Sequence, residues 1–368
     1  MKILIVSPKN KTVFNFRGDL IKDMIAQGHE VLVVGPNRDY VDDVLALGVS
    51  TFIEITMVKD NTSVKNDLSY YNKLRSVMKA EKPDMVFGYT IKPVIYGSLA
   101  AKKTGVPHIY AMVTGLGRVY ASQGLKAKAV RMVTRFLYTQ AFRGCKKVIF
   151  QNEDDIRELV KGKYLPVEKT ALVNGSGVNM QRFMRTELPD EPVFLMVSRV
   201  IREKGVLEYC EAARVLKKAV PNARCILLGG YDASLGALKP EDIEGYIADG
   251  SIEFPGEVKD PVAFYGKCSV FVLPSYYREG LPRTLLEALS CGRPIITTDW
   301  PGCRVPVEDG VNGYMIPVKD ADALADRMIR LAQDHALLSQ MADAAYETCA
   351  SRFEVGIINK QMRKVLQY

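Results

Sequence analysis

Residues 273–298 read LPSYYREGLPRTLLEALSCGRPIITT, a stretch that combines apolar, charged and turn-forming residues in a fixed order. The apolar run from Val270 to Leu273 predicts a strand, and a loop containing Gly280 follows it. Pro282 suits the first position of a helix, which the pattern predicts from Arg283 to Leu289. A strand followed at once by a helix is the repeating unit of doubly wound α/β domains.

The loop and the helix carry groups that bind hydroxyls and phosphate. The amides of Arg283 and Thr284 lie at the predicted helix N-terminus, where backbone donors attract anions. Glu279 precedes the helix and Glu287 lies about a turn and a half inside it, so both carboxylates are expected to face one ligand. Carboxylates accept hydrogen bonds from hydroxyls, and amides hold phosphate. A nucleotide sugar presents both kinds of group.

A second stretch, PVFLMVSRVIREKG at residues 192–205, supports the same kind of ligand. It places Arg199 and Lys204 after an apolar strand, Val193 to Val197, and before a helix that starts near Gly205. Two cations at the carboxyl end of a strand would neutralise a diphosphate. A strand, two cations and a helix are followed later in the chain by a strand, two glutamates and a helix. This order is specific evidence for a nucleotide-sugar site.

At these residues the chain resembles the retaining glycosyltransferases with two Rossmann-like domains, family four of the GT-B class. The likeness covers nearly the whole chain and includes GHEVLVV at 28–34, VNGSGVNMQRF at 173–183 and EDGVNGYMIPVKDADALADRMIRL at 308–331. YTIKPVIYGSLAAKKTGVP at 89–107 and VTGLG at 113–117 are similar to the bacterial subgroup that builds capsule, O-antigen and lipid-linked oligosaccharides.

The resemblance implies an α/β fold of two Rossmann-like doubly wound domains, with a cleft between them and a C-terminal crossover helix. We expect an acceptor-side domain over residues 1–180 together with the helix 353–368, and a nucleotide-sugar domain over residues 190–352. Residues 174–191 are the expected linker. Short apolar runs predict buried parallel strands at Ile3–Val6, Val31–Val34, Met85–Phe87, Ile109–Met112, Lys147–Phe150, Val193–Val197, Cys225–Leu228, Ser251–Phe254, Val270–Leu273 and Ile295–Thr297.

The resemblance also implies roles for individual residues. Glu287 would hold the ribose hydroxyls, and Glu279 the hydroxyls of the transferred sugar. The base would rest near Glu257 and Val258. The expected catalytic residues are Arg199, Lys204 and Glu279. The expected donor-binding residues are Val258, Gly280, Leu281, Arg283, Thr284 and Glu287. The expected acceptor-side residues are Asn15, Arg17, Lys92 and Thr114.

Two departures from the family pattern concern the N-terminal half. The first loop is expected at SPKNKTVFNFRGD, residues 7–19, and lacks the Gly-Gly pair of many relatives. Asn15 and Arg17 would therefore reach the acceptor by side chain. After the predicted strand Ile109–Met112, Val113 and Thr114 stand where many relatives have a histidine. The phosphate of the donor would then take the acceptor's proton, as in front-face retaining transfer.

Neither a metal nor another cofactor is expected. The three histidines are far apart in sequence, and Asp320-x-Asp322 sits before an apolar-periodic run, which favours a helix N-cap over a metal motif. Seven cysteines without a Cys-x-x-Cys pair predict free thiols in a reducing cytoplasm. No apolar run approaches the ~20 residues of a membrane helix, and MKILIVSP predicts a first buried strand rather than a signal peptide.

The positive charge of the chain is concentrated in one region. The net charge is +8, and residues 85–152 contain no acidic residue but eleven cations: Lys92, Lys102, Lys103, Arg118, Lys126, Lys128, Arg131, Arg135, Arg143, Lys146 and Lys147. A helix is predicted from Gly124 to Phe142. Its apolar residues at helical spacing are Leu125, Ala129, Met132, Val133 and Phe136, and its neighbouring face carries Lys128, Arg131 and Arg135.

This helix has two interpretations. It lies on an anionic membrane surface, or its apolar face packs on the core and its cations are solvated. Nucleic acid is not expected as a partner, since no reading motif occurs.

Together these features predict a cytoplasmic glycosyltransferase at the inner membrane. It would move a hexose or N-acetylhexosamine from a UDP-sugar to a polyprenyl-diphosphate-linked glycan in surface polysaccharide synthesis, with retention and without metal. Two alternatives use the same fold: a UDP-sugar epimerase, and a non-catalytic subunit that binds sugar nucleotides.

Overall fold

The computed structural model describes residues 1–58, 63–117, 125–232 and 237–368. Within these residues the chain divides into two units, each with its own sheet and core. The first unit comprises residues 1–176 and 356–368, and the second comprises residues 177–355. Of the expected linker, residues 174–191, the part from Gly177 onward therefore belongs to the second unit.

A parallel sheet forms the centre of the first unit. Its strands in the described residues are β1 (Lys2–Val6), β2 (Glu30–Gly35), β3 (Thr51–Glu54), β4 (Met85–Tyr89), β5 (His108–Val113), β6 (Lys147–Phe150) and β7 (Thr170–Leu172). They are ordered β3-β2-β1-β4-β5-β6-β7. Ile3 and Ile5 belong to the core on one face and Leu4 and Val6 to the core on the other. Burial of both faces is typical of parallel sheets covered by helices.

Helices cover both faces of this sheet. The α-helices that the structure describes up to residue 176 are α1 (Asn10–Ala26), α2 (Val41–Leu45), α3 (Val64–Glu81), α4 (Ser98–Thr104), α5 (Leu125–Gly144) and α6 (Glu153–Lys161). α1 contributes Ile21 and Met24 to one core, and α3 contributes Leu74 and Met78 to the other. The first unit is thus a doubly wound α/β domain, as predicted.

The second unit repeats this design. Its described strands are β8 (Val193–Val197), β9 (Arg224–Leu228), β10 (Glu253–Gly256), β11 (Val270–Leu273), β12 (Ile295–Thr298) and β13 (Gly313–Ile316), in the parallel order β10-β9-β8-β11-β12-β13. Its described α-helices are α7 (Val206–Ala219), α8 (Pro240–Ala248), α9 (Val262–Lys267), α10 (Arg283–Ser290), α11 (Ala321–Gln333) and α12 (His335–Arg352).

The last helix, α13 (Val355–Leu366), returns to the first unit. Its Arg363 pairs with Asp23 of α1 at 2.6 Å, and the Tyr368 hydroxyl donates to the same carboxylate at 2.9 Å. Ile358, Met362 and Leu366 are buried in the core that contains α1. The prediction of a C-terminal crossover helix is confirmed.

All of the predicted strands occur, each within two residues of its predicted bounds. Three strands were not predicted: β3, β7 and β13, which lie at sheet edges. The side chains of β3 and β7 are partly exposed, so these strands lack the continuous apolar run that marks a central strand, and β13 contains a glycine.

The expectation of a loop at residues 7–19 is wrong, because α1 begins at Asn10. The polar and glycine content of this stretch conceals a helical face of buried residues that includes Val13 and Leu20. Gly18 lies within the helix, and a Cβ there would come within 3.1 Å of the Leu47 side chain. The glycine that resembled a loop residue therefore permits close helix packing.

Candidate active site

The two sequence stretches that predicted ligand binding meet in the second unit. β8 and β11 are parallel neighbours, with Phe194 opposite Val270 and Leu195 opposite Phe271. The strand order of the sheet reverses between them, since β9 and β10 lie on one side and β12 and β13 on the other. In open α/β sheets, ligands bind at the carboxyl ends of the strands at such a switch point.

The turn after β8 interlocks with the loop after β11. The carbonyl oxygen of Glu203 accepts hydrogen bonds from the Tyr276 amide at 2.9 Å and from the Ser275 hydroxyl at 3.3 Å. Gly205 has φ +76°, and a Cβ there would lie 2.1 Å from the carbonyl oxygen of Pro274. Only glycine fits this contact. The interlock carries Lys204 to the loop that contains Glu279.

Each predicted phosphate-binding cation is paired with a carboxylate. Lys204 Nζ contacts Glu279 Oε1, and these two side chains are only 13% and 16% exposed. Arg199 Nη1 lies 2.6 Å from Asp232 Oδ2. The ring centroid of Tyr277 is 5.7 Å from Arg199 Cζ and 5.8 Å from Lys204 Nζ, which brings both cations within cation–π range of one ring.

The helix α10 begins at Arg283, directly after Pro282. Pro282 is thus the N-cap residue, one position earlier than the sequence indicated, because its ψ of 117° is extended. No side-chain hydrogen bond caps this end of α10. Thr284 is half-buried, and Gly280 and Leu281 of the preceding loop are buried. The structure therefore places the predicted donor-binding residues from Gly280 to Thr284 at one helix N-terminus.

Glu287 lies inside α10 with partners of its own. Arg283 Nε is 3.2 Å from Glu287 Oε1, and the Tyr265 hydroxyl donates to Glu287 Oε2 at 2.9 Å. Burial raises the pKa of Glu287 above its ordinary value, while the Arg283 cation and the Tyr265 hydrogen bond act in the opposite direction. The carboxylate is thus desolvated, and its oxygens are oriented by neighbours.

Sequence reasoning missed several residues of this region. Gly229 and Gly230 follow β9, and a Cβ on Gly229 would lie 1.7 Å from the Ser198 carbonyl oxygen. A Cβ on Gly230 would meet the carboxylate of Glu257 at 3.0 Å, next to the half-buried Val258. The Gly-Gly pair directly after an apolar strand was a usable signal. Asp232 and Tyr277 carried no signal in the sequence, because their roles depend on spatial neighbours.

Gly302 packs against the backbone of the loop that contains Glu279. Its φ is +82°, and a Cβ there would lie 2.6 Å from the carbonyl oxygens of both Glu279 and Gly280. This close approach of two backbones holds the loop between β11 and α10 in place.

The predicted acceptor-side residues lie in the first unit. Arg17, on α1, is buried: its guanidinium donates to the Phe16 carbonyl oxygen at 2.9 Å and lies 4.9 Å from the Tyr89 ring centroid. It also contacts the Ser176 hydroxyl and the Met112 sulfur. Arg17 therefore lies at the carboxyl ends of β4 and β5 inside a helix-anchored network, and the expectation that it extends from a loop is wrong.

Lys92 is also engaged within the first unit. Its ammonium group lies 2.8 Å from Asp67 Oδ1 and donates to the Val58 carbonyl oxygen at 2.7 Å. The Tyr96 hydroxyl donates to the other oxygen of Asp67 at 2.8 Å. Thr114 is half-buried directly after β5, and Asn15 is half-buried on α1.

The basic helix α5 exposes its apolar stripe. Met132, Val133 and Phe136 are 71%, 60% and 63% exposed, whereas Thr134, Tyr138, Ala141 and Phe142 form the buried face. The interpretation in which the predicted stripe packs on the core is therefore wrong for these residues. Lys128 and Arg135 are exposed on the neighbouring face, and Arg131 is half-buried. Arg118, Gly124 and the side chains of Leu125, Lys126 and Ala129 lie outside the described residues.

Further predictions concern features other than the donor and acceptor residues. The side chain of Asp320 accepts a hydrogen bond from the Ala323 amide at 2.9 Å, which confirms the N-cap. The cysteines are free, as predicted, and the structure buries all of them. Among the described residues, no helix is long and apolar enough to cross a membrane, and no cluster of three His, Cys, Asp or Glu could hold a metal.

Known protein families match both halves of the chain. Residues 180–348 match the family model for glycosyl transferases group 1, and residues 2–152 match that for glycosyl transferase 4-like proteins. The N,N'-diacetylbacillosaminyl-diphospho-undecaprenol alpha-1,3-N-acetylgalactosaminyltransferase of Campylobacter jejuni is 29% identical, with 99% of this chain and 98% of that protein covered. A UDP-Gal:alpha-D-GlcNAc-diphosphoundecaprenol alpha-1,3-galactosyltransferase of Escherichia coli is 27% identical, with coverage of 82% and 79%.

Solved structures share the fold. The crystal structure of Anabaena Alr3699/HepE in complex with UDP and glucose has a TM-score of 0.80 at 18% identity, with 100% of this chain and 99% of that chain covered. Sucrose-phosphate synthase from Thermosynechococcus elongatus has a TM-score of 0.82 at 18% identity, with 100% and 98% covered.

Proposed function

The chain belongs to the group 1 glycosyl transferases, in family four of the GT-B class, and we propose that its donor is a UDP-sugar and its acceptor a polyprenyl-diphosphate-linked glycan. The transferred group would be a hexose or N-acetylhexosamine, and the product a precursor of a surface polysaccharide. The observation that carries the donor proposal is the meeting of Arg199 and Lys204 around one aromatic ring at the β8–β11 switch point.

The donor's diphosphate would bind to these two cations. It would exchange with the carboxylates that pair with them in this structure, Asp232 at Arg199 and Glu279 at Lys204. Glu279, released from Lys204, would accept hydrogen bonds from hydroxyls of the transferred sugar. The N-terminus of α10 would add backbone donors to the phosphate. Glu287 would accept the ribose hydroxyls, since its carboxylate is already desolvated and oriented.

The residues of the second unit would act mainly on the leaving group. As the bond between the sugar's anomeric carbon and the diphosphate oxygen breaks, negative charge grows on the diphosphate beside Arg199 and Lys204. Preorganised cations at developing charge are usually the largest electrostatic contribution to catalysis. The acceptor oxygen would bond to the same face of the anomeric carbon, and its proton would pass to the leaving phosphate oxygen. This course retains configuration and needs neither a protein base nor a metal.

The acceptor proposal rests on the relatives. The Campylobacter and Escherichia coli proteins are named for glycans linked to diphosphoundecaprenol, and the first matches this chain from end to end. Asn15, Arg17, Lys92 and Thr114 remain the candidates for acceptor binding. Since the Arg17 guanidinium is held within the first unit, it would support the acceptor site by holding the ends of β4 and β5.

A lipid-linked acceptor requires access to a membrane, and α5 supplies a suitable surface. Its exposed Met132, Val133 and Phe136 would enter the headgroup region, while Lys128, Arg131 and Arg135 would meet anionic lipid. Each cation near such a surface contributes roughly 1 kcal/mol. We therefore place the protein on the cytoplasmic face of the inner membrane as a peripheral protein.

A two-step experiment tests the function. First, thermal unfolding is measured in the presence of UDP and of a panel of UDP-sugars. A ligand that binds, at a free concentration of 100 times its Kd, should add about 2.7 kcal/mol to the free energy of unfolding. Second, the stabilising UDP-sugar is incubated with a short polyprenyl diphosphate that carries one N-acetylhexosamine. The expected product is an extended glycan with an α-linkage, identified by NMR. Isomerised sugar from donor alone would favour the epimerase, and binding without turnover would favour the non-catalytic subunit.

A further inference from the structure

Tyr277 makes a contact that the two phosphate-binding candidates share. The centroid of its ring is 5.7 Å from Arg199 Cζ and 5.8 Å from Lys204 Nζ. An aromatic face attracts a cation within about 6 Å because the ring's quadrupole is negative above its plane. One ring thus attracts two cations that repel each other.

The backbone around Tyr277 is tied to its surroundings. The Tyr277 amide donates to the Ser275 hydroxyl at 3.2 Å, and that hydroxyl donates to the Glu203 carbonyl oxygen at 3.3 Å. The Glu279 amide donates to the Tyr277 carbonyl oxygen at 2.8 Å. The residue is therefore anchored to the turn that bears Lys204 and to the loop that bears Glu279.

The ring differs from the carboxylates in how it responds to a ligand. Asp232 and Glu279 are anions, so a diphosphate repels them and competes with them for Arg199 and Lys204. The ring carries no charge and can keep both cations while the diphosphate replaces the carboxylates. Its contribution to cation placement is thus compatible with carboxylate partners and with a diphosphate partner.

We propose that Tyr277 is a positioning residue for the donor's diphosphate, whose ring face holds Arg199 and Lys204 at a spacing that one diphosphate bridges. The inference rests on the proposed function and deepens it. This positioning depends on the aromatic face of the ring and not on the hydroxyl group. Phenylalanine should therefore substitute for Tyr277, and leucine should not.

The test measures UDP binding by calorimetry, together with kcat and KM for the donor. Tyr277→Leu should raise the Kd for UDP about 5- to 30-fold, because the ligand must then order two cationic side chains that the ring no longer holds in place. Tyr277→Phe should stay within about twofold of wild type. Tyr246→Leu is the matched control, since the centroid of the Tyr246 ring lies 4.0 Å from Arg214 Cζ. Tyr246 belongs to α8, away from the loop between β11 and α10, so the Kd of this variant for UDP should not change.

A double-mutant cycle separates positioning from folding. In a Lys204→Met background one of the two contacts is already absent, so Tyr277→Leu should weaken UDP binding less than it does in wild type. If Tyr277 served only stability, Tyr277→Leu would lower the unfolding temperature, and its effect on UDP binding would be the same in wild type and in the Lys204→Met background.

The outcomes distinguish the two proposals. If wild type binds no UDP, the proposed function fails and the role of Tyr277 fails with it. If wild type binds UDP but Tyr277→Leu binds equally well, only the positioning role is overturned. Equal losses in Tyr277→Phe and Tyr277→Leu would also overturn it, because the hydroxyl would then be the active group.

Discussion

The ammonium group of Lys204 contacts the carboxylate of Glu279, although 75 residues separate them along the chain. Both side chains are mostly buried, so each charge depends on the other for part of its solvation. The contact joins the residue proposed to stabilise the leaving diphosphate to the residue proposed to hold the sugar. Donor binding would replace this ion pair with two contacts to the ligand.

We expect Lys204→Ala to lower the transfer rate at saturating donor about 10²–10³-fold, since one electrostatic donor to the leaving group is lost. The free energy of unfolding should also fall, because Glu279 loses its buried partner. Adding Glu279→Gln should recover stability but not activity. Steady-state rates and denaturant unfolding of the single and double variants measure both effects. Near-wild-type turnover in Lys204→Ala would contradict the assignment.

Gly205→Ala should disturb the interlock that places Lys204. Gly205 has φ +76°, and a Cβ there would lie 2.1 Å from the Pro274 carbonyl oxygen. Gly250→Ala is the control, since Gly250 has φ +75° but nothing within 4 Å of its Cβ position. The control should cost about 1–2 kcal/mol for the left-handed backbone alone and leave UDP affinity unchanged. Gly205→Ala should cost more and weaken UDP binding; equal effects would disprove the steric argument.

Donor binding should depend on pH through Glu287. Burial raises the pKa of this carboxyl group. Its ionised form accepts hydrogen bonds from two ribose hydroxyls better than its protonated form does, because protonation turns one acceptor oxygen into a donor. As the pH falls through the raised pKa, wild type should lose UDP affinity until it approaches that of Glu287→Gln. Calorimetric titrations of both proteins from about pH 5 to 8 would show whether the two affinities converge. A constant ratio across this range would exclude the titration of Glu287.

The raised pKa of Glu287 also makes the stability of the folded protein depend on pH. The folded protein binds the Glu287 proton more tightly than the unfolded chain does, because burial raises the folded-state pKa. The stabilising contribution is full below the ordinary pKa of roughly 4.3 and is lost as the pH rises through the folded-state pKa. Wild type should therefore lose stability relative to Glu287→Gln as the pH rises above about 4.3. Thermal unfolding of the two proteins at matched pH values measures this difference.

Membrane binding should depend on the cations of α5. The triple variant Lys128, Arg131, Arg135→Glu should lose binding to anionic vesicles, and salt should weaken wild-type binding because exposed charges are screened beyond about 8–10 Å. Lys65, Lys73, Lys79→Glu is the matched control, with the same change in net charge on exposed residues of α3. Both variants should bind UDP normally. Equal vesicle binding by wild type and the α5 variant in co-sedimentation would refute the membrane role.

Transfer should continue in excess chelator. In the proposed function, Arg199 and Lys204 would supply the positive charge that a divalent ion would otherwise bring to the diphosphate. Activity assays with and without EDTA, followed by addition of manganese or magnesium, test this expectation. Loss of activity on chelation with recovery on metal addition would show that the two cations do not suffice.

Local sequence patterns accounted for the central strands and for the turns that we propose bind the donor. The buried runs at β1, β8 and β11 are apolar throughout, so their identity is visible without knowledge of their neighbours. The edge strand β3 was missed because its exposed positions interrupt the run. The start of α1 was missed because Gly18 and polar residues concealed a face that only its packing partners define.

Helical spacing on α5 indicated an amphipathic helix. It did not indicate which face of the helix packs on the core. Met132 and Phe136 share a stripe that sequence alone assigns equally well to a core or to a membrane. The structure buries Tyr138 and Phe142 instead, because these side chains stack on each other within the core of the first unit. Burial is decided by what lies opposite a helix, and no local pattern records that.

The sequence by itself determined the α/β class, because buried strands follow from short apolar runs, and the family resemblance supplied the crossover helix. The helix N-terminus and the carboxylates and cations at strand ends predicted the chemistry of the ligand site. Only the tertiary structure paired Lys204 with Glu279 and placed Arg199 and Lys204 around Tyr277. These contacts exist because β8 and β11 are neighbours in the sheet and Gly205 lets their loops touch. Adjacency of strands that are distant in sequence is set by the fold as a whole.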